Sequence, residues 1–279
     1  MKKILITGAS GFIGNNLVKK IDKKKYDVFK LESSLHDLND IKNWGIIPNC
    51  DYVVHLAAKT FVPESWENPS LFIKNNLNTT LNALEYCRKH NSKLILLSSY
   101  MYGEPMVKPT PESHELKVKN PYALSKFLSE YTSNFYNNFF EVNLIILRVF
   151  NIFGPEQPQH FLISKIISQI FTEKKINVKS LLPKRDYLYV DDLSLAIIKS
   201  IEYNGEHKVF NIGMGKSYSV KEIIDIIQRN LKINLDITYE QDSRREEINE
   251  TLADINLAKS ELNWKPKYNF EDGIKLLLS

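Results

Sequence analysis

The run Ile4-Leu5-Ile6-Thr7-Gly8-Ala9-Ser10-Gly11-Phe12-Ile13-Gly14 decides the fold. Lys3 to Thr7 has the apolar, β-rich texture of a buried strand, and after the glycines Ile13, Leu17, Val18 and Ile21 recur at helical spacing. In the pattern G-x-x-G-x-x-G one glycine allows the tight turn, one lets the backbone approach a pyrophosphate, and one lets helix pack close to strand. Exposed N–H groups at the helix start then meet phosphates. Gly8, Gly11, Phe12, Ile13 and Gly14 are therefore candidate contacts for a dinucleotide.

Outward from this turn, strand-like runs alternate with helical ones. Asp27 to Leu31, Asp51 to Leu56, Lys93 to Leu97 and Val142 to Arg148 read as strands, separated by helices near Leu71 to Lys89 and Tyr122 to Phe139. The expected architecture is α/β: a Rossmann-type, doubly wound parallel sheet with a smaller C-terminal α/β part. Residues 1–150, with about 186–212, form the first unit; 151–185 and 213–279 form the second. Beyond Gly154, Phe161 to Phe171 reads as a helix, Val209 to Ile212 as a strand, and a further helix begins near Val220.

At 279 residues, 43% hydrophobic and 25% charged, the chain has a globular composition that excludes disordered and low-complexity classes. A net charge of +4, evenly spread, gives no basic stripe for nucleic acid. Cys50 and Cys87 cannot make a disulfide framework and lack metal-site spacing, which points to a reducing compartment and no metal. Thr7-Gly8 interrupts the early apolar run, and no stretch approaches the roughly 20 residues of a membrane span. A cytoplasmic location and no membrane partner are expected.

Glu32 ends the second strand, where a carboxylate accepts hydrogen bonds from a ribose and repels a 2′-phosphate, favouring NAD. Lys30, Ser33 and Ser34 stand close enough to serve a phosphate, so NADP stays open. Asp37 and Leu38 are placed to cap and bury the adenine. Tyr122 and Lys126 project from one helix face. A phenol near pKa 10 must drop by about 3 units to act as a base at pH 7, and a neighbouring ammonium and a positive nicotinamide ring both push that way. Ser98, at a strand's C-terminal end, is placed to hold the substrate oxygen.

The sequence resembles the extended short-chain dehydrogenase/reductase family, in its nucleotide-sugar epimerase/dehydratase group, along nearly its whole length. The matching stretches are Thr7 to Gly14, Val54-His55-Leu56-Ala57-Ala58, Asn76-Leu77-Asn78-Thr79-Thr80, Leu97 to Gly103, and Asn120 to Lys126. Beyond them come Arg148 to Pro155, Arg185 to Asp192, Asn211-Ile212-Gly213, and Arg244 ten residues before Asp254. The resemblance implies that Tyr122 is the acid/base at a sugar oxygen, that Lys126 lowers its pKa and holds the nicotinamide ribose, and that Ser98 binds the same oxygen. It places Leu56, Ala57, Ala58 and Asn76 along the cofactor. Asn151, Arg185 and Arg244 would hold the diphosphate of a UDP-, dTDP-, GDP- or CDP-linked sugar, with Lys59, Ser99 and Tyr100 lining the sugar pocket.

Three departures narrow the reaction. No carboxylate follows Ser98, where Ser99-Tyr100 stands, which disfavours a 4,6-dehydratase. Tyr100 and His160 occupy the regions where epimerase-reductases carry extra acid/base groups, although Tyr100 as a pocket wall and His160 as a surface residue are the simpler alternatives. The short connection from Glu32 to Asp37 suits a 4-ketosugar reductase, whereas Glu32 itself suits an epimerase with internally recycled NAD. The expectation leads with a nucleotide-4-keto-6-deoxysugar reductase and keeps the 4-epimerase as the alternative, with a non-catalytic nucleotide-binding sensor or scaffold as a third class. A homodimer through the helices 71–89 and 122–139 is also implied.

Overall fold

In chain order the elements are β1 (Lys2–Thr7), α1 (Phe12–Lys20), β2 (Tyr26–Leu31), β3 (Tyr52–His55), α2 (Val62–Glu67), α3 (Pro69–His90), β4 (Lys93–Ser99), α4 (Pro121–Phe140) and β5 (Leu144–Val149). There follow β6 (Asn151–Phe153), α5 (Leu162–Thr172), β7 (Ile176–Val178), β8 (Lys184–Tyr189), α6 (Val190–Glu202) and β9 (Val209–Ile212). The chain closes with β10 (Ser217–Ser219), α7 (Val220–Leu231), β11 (Ile237–Tyr239), α8 (Asn256–Glu261) and α9 (Phe270–Leu278). The structure is a computed structural model, and it describes residues 1–32, 37–240 and 247–279.

Six strands make one parallel sheet in the order β2-β1-β3-β4-β5-β9. The winding reverses between β1 and β3, so a crevice opens at their C-terminal ends, where open α/β sheets take ligands. Side chains alternate along each strand. Leu5, Val53, Leu94 and Ile146 therefore pack with Ala83 and Leu84 of α3. Ile4, Ile6, Ile95 and Leu147 fall on the other side with Leu17 of α1 and Leu193 and Ile197 of α6.

A second core lies beside the first. The small sheet β10-β8-β6 gathers Phe153, Tyr187 and Tyr189 with Ile163 and Ile166 of α5, Ile223 and Ile227 of α7, and Phe270 of α9. While its Leu188 packs into the first core, the strand β8 belongs to this sheet. Aromatic packing of Tyr187 and Tyr189 against Phe153 and Phe270 accounts for that placement. From Val190 onward α6 is tied to α1: Asn16 Nδ2 donates to Asp191 Oδ1 at 2.7 Å, and Ser194 Oγ donates to Asn16 Oδ1 at 2.6 Å.

Helices α3 and α4 each carry a proline in the first turn, where its missing N–H costs nothing. Asn120 caps α4, its side chain accepting from Ala123 N at 2.8 Å. The short helix α2 also has a proline at its start. Among the described residues no helix is long and apolar enough to cross a membrane, and no group of three or more His, Cys, Asp or Glu is placed to hold a metal ion. Cys50 and Cys87 are buried free thiols.

The glycine turn is sterically exacting. Gly8 has φ +67°, and a Cβ there would sit 2.9 Å from Ala57 N. A Cβ on Gly14 would come within 2.2 Å of the Gly8 carbonyl oxygen. Because that neighbour is backbone, Gly14→Ala is expected to cost about 2–3 kcal/mol of stability, read as a lowered urea midpoint.

Candidate active site

The turn after β1, the turn after β3 and the end of β4 converge at the C-terminal edge of the large sheet, with α4 starting over them. The α1 helix begins at Gly11 with no side-chain cap and no acidic residue in its first turn, so its N–H groups and positive dipole end remain available to an anion. Gly8 N donates to Leu31 O at 3.2 Å, which sets Glu32, the next residue, beside the glycine turn. Ser33 and Ser34, the rival phosphate contacts, lie outside the described residues.

Several expected cofactor residues are engaged within the protein. Asp37 Oδ1 accepts from Asn39 N at 2.9 Å and from Asn39 Nδ2 at 3.0 Å, bonds that hold its carboxyl below the usual range. Leu38 is buried, and its carbonyl accepts from Trp44 Nε1 at 3.0 Å and Asn82 Nδ2 at 2.8 Å. The turn Leu56-Ala57-Ala58 is fastened to β1, with Ala57 N donating to Thr7 Oγ1 at 3.2 Å. Asn76 uses its whole amide to fix the next stretch: Oδ1 accepts from Lys59 N at 2.8 Å, and Nδ2 donates to Lys59 O at 3.0 Å and to Ser125 Oγ at 2.8 Å. It positions the loop rather than presenting a free amide. The Lys59 ammonium stands 3.8 Å from Glu64 Oε1.

One face of α4 meets the end of β4. Tyr122 faces Ser99, whose side chain favours the ionised phenol, while Tyr100 nearby opposes it. Burial, reinforced by Tyr100, outweighs Ser99 and pushes the phenol up to about 12. Lys126 Nζ donates to Leu97 O at 2.7 Å, and burial pushes this ammonium down to about 8. Two expectations change here. Ser98 does not face the tyrosine, because its hydroxyl donates to Glu130 Oε2 at 3.0 Å; the hydroxyl beside Tyr122 belongs to Ser99. The ionisation of Tyr122 is favoured by Ser99, and the Lys126 ammonium is turned to a backbone carbonyl.

On the substrate side, the Tyr100 ring stacks on Phe150 with centroids 4.9 Å apart, and its hydroxyl donates to Asn151 Oδ1 at 3.4 Å. Asn151 Nδ2 donates to Asp186 O at 3.3 Å. Arg185 donates to Ile248 O at 2.7 Å and pairs with Glu247 Oε1 at 2.5 Å. Arg244 lies outside the described residues. His160 is exposed, its ring set between Phe61 at 4.4 Å and Phe161 at 4.5 Å, as the surface alternative describes.

The sequence reading missed Glu130, Arg148 and His55. Glu130 falls eight residues after Tyr122, on the same helix face, which was the available signal. His55 ends β3, with Nδ1 2.8 Å from Thr7 Oγ1 and Nε2 3.3 Å from Thr80 Oγ1.

Residues 4–213 match the family model described as the NAD dependent epimerase/dehydratase family. The chain belongs to this family. It is 32% identical, over 99% of its length and 97% of the relative's, to a putative UDP-glucose 4-epimerase of Methanocaldococcus jannaschii. It is 28% identical to a dTDP-4-dehydro-6-deoxyglucose reductase of Escherichia coli, covering 99% of this chain and 96% of the other. Among solved structures, a UDP-glucose 4-epimerase of Thermotoga maritima with UDP-glucose superposes with a TM-score of 0.91 at 26% identity, covering 99% and 97% of the two chains. The protein is thus an NAD-dependent enzyme of the sugar-nucleotide oxidoreductase and epimerase group. Its uncapped α1 start and the close backbone at Gly8 and Gly14 fit the dinucleotide, whose pyrophosphate they would hold, with Glu32 beside a ribose. When bound, the nicotinamide exchanges hydride with a sugar carbon.

Burial holds the His55 imidazole down at about 3. Its folded-state pKa lies below the unfolded value, so the neutral ring stabilises the fold above pH 6.5 and that contribution is lost as pH falls toward 3. Urea unfolding at pH 7 and pH 5 is expected to show a loss of about 2 kcal/mol from this group, absent in His55→Gln.

Proposed function

We propose that the protein is a nucleotide-diphosphate-hexose 4-epimerase, oxidising and re-reducing C4 of the sugar with one tightly held NAD. The observation that carries the redox assignment is the Ser99–Tyr122 pair at the end of β4, followed by Tyr100 and Met101 rather than by a carboxylate. Tyr122 exchanges the proton of the C4 oxygen, Ser99 holds that oxygen, and Lys126 lies along the nicotinamide ribose. Asn151 and Arg185, with Arg244, hold the diphosphate of a UDP-, dTDP-, GDP- or CDP-linked sugar. A guanidinium fork matches phosphate geometry.

Glu32 beside the glycine turn supports internal recycling, since a carboxylate there repels the 2′-phosphate of NADP. The short connection after Glu32 argues for the second reading, a 4-keto-6-deoxysugar reductase. Length does not separate the two, because the chain spans 97% of the putative epimerase it resembles. A cytoplasmic location goes with either reaction. Denaturing the purified protein and quantifying released nucleotide by mass spectrometry tests the choice. Near-stoichiometric NAD is expected; empty sites that bind NADH or NADPH reversibly would replace the epimerase with the reductase.

The same reading includes a homodimer through α3 and α4. Tyr131, Phe135 and Phe139, four residues apart on α4, are 67%, 48% and 69% exposed, so they are not core packing within one chain. Phe135→Glu is expected to halve the mass found by light scattering, and an unchanged mass would remove this face as the interface.

A further inference from the structure

Tyr122, Lys126 and Glu130 lie four residues apart on one face of α4 and engage three consecutive residues of β4. Tyr122 faces Ser99, Lys126 donates to Leu97 O, and Glu130 accepts from Ser98 Oγ. The first two belong to the proposed chemistry. Glu130 stands behind it: its side chain is 4% exposed, and it is paired with the buried guanidinium of Arg148, whose Nε lies 3.1 Å from Oε1 and whose Nη2 makes a second bond to the same oxygen.

An ionised carboxylate only accepts, so Ser98 must be the donor in this bond, and its rotamer is fixed toward α4. The two serines are bonded neighbours at the end of β4 and both meet the same face of α4. Fixing Ser98 therefore fixes how the next residue, Ser99, is presented to Tyr122. The carboxylate cannot drift, because Arg148 is itself held from β5, with Nη1 donating to Tyr102 Oη at 3.1 Å and to Glu112 O at 2.8 Å. We infer that Glu130 is a positioning residue for the reaction, acting through Ser98 to set the Ser99 hydroxyl against Tyr122. This rests on Ser99 and Tyr122 being the proton-handling pair.

The test compares Ser98→Ala, Ser98→Thr, Ser99→Ala and Glu130→Gln in the holoenzyme. Ser98→Ala deletes only a hydroxyl and keeps the ion pair, so it reports even where Glu130→Gln does not fold. A displacement of the reacting hydroxyl predicts a kcat lower by about 10- to 100-fold with sugar-nucleotide KM little changed. Ser98→Thr, which keeps a donor for Glu130, restores kcat to within about two- to threefold of wild type. Ser99→Ala falls further, by about 100-fold or more.

The second readout needs no turnover: the titration of the Tyr122 phenol, followed by NMR of ring-labelled tyrosine and assigned with Tyr122→Phe. A lost Ser99 contact moves that titration upward in Ser98→Ala as in Ser99→Ala, whereas a loss of stability alone leaves it in place. An unmoved titration and unchanged kcat in Ser98→Ala would overturn the inference, as would Ser98→Ala proving more damaging than Ser99→Ala. A shifted phenol in a protein that turns over no sugar nucleotide would leave the positioning role standing and overturn the proposed reaction.

Discussion

Two opposite charges, Glu130 and Arg148, are buried together behind the sheet edge that carries Ser99, and such a pair holds only if every remaining donor and acceptor is met. Here they are met by residues from several elements. Arg148 reaches Tyr102 Oη and Glu112 O; Tyr102 in turn donates to Asn211 Oδ1 at 2.6 Å. Asn211 N donates to Glu112 Oε1 at 2.8 Å and its Nδ2 to Thr110 O at 2.9 Å. The chain of bonds runs across the C-terminal ends of β4, β5 and β9 and into the loop after β4. Any one substitution in it leaves a desolvated group without a partner, so the ends of three adjacent strands are fixed as one unit.

The electrostatics of the site follow from the same burial. The Tyr122 phenol is pushed up, the Lys126 ammonium down to about 8 and the His55 imidazole down to about 3, each mainly by desolvation. All three effects favour neutral forms. An edge that suppresses its own charge responds strongly to charge brought in by what binds there, because interactions in a poorly solvated site are weakly screened. Ser99 is the neutral group in position to favour the phenolate, so the placement of one hydroxyl bears on how readily the tyrosine gives up its proton.

Much of the fold was legible because it is written in short-range patterns. The glycine spacing, the apolar strands and the helical repeats after them gave β1 to β5 and α3 and α4 close to their observed ends. The pairings of the site were least legible where one residue's shift matters. Ser98 and Ser99 are chemically identical, and only the carboxylate eight residues after Tyr122 decides which of them is held by Glu130 and which stands beside the tyrosine. Asn76 looked like a cofactor contact, yet three of its bonds close within the protein, a fact that depends on how α3 meets the loop at Lys59. Pairings of this kind join residues 17 to 49 positions apart and leave no local signature.

The second half of the chain was least legible for a related reason. Its small sheet is assembled from three-residue strands around β8, too short to show a period, and held by tertiary contacts instead. Asp186 illustrates the principle. It is buried beneath the loops after β9 and before α8, accepting from Met214 N at 2.6 Å, Gly215 N at 2.9 Å and Ala253 N at 3.2 Å. Burial pushes its carboxyl up to about 7 while these three donors pull the other way. Its neighbour Arg185 faces Glu247, and its backbone carbonyl receives Asn151. Asp186 thus ties together, through its carboxylate, the strand carrying Arg185 and two loops and, through its backbone carbonyl, the strand carrying Asn151. The positions of Arg185 and Asn151, the expected diphosphate contacts, are consequently set by long-range bonds rather than by any residue pattern a sequence displays.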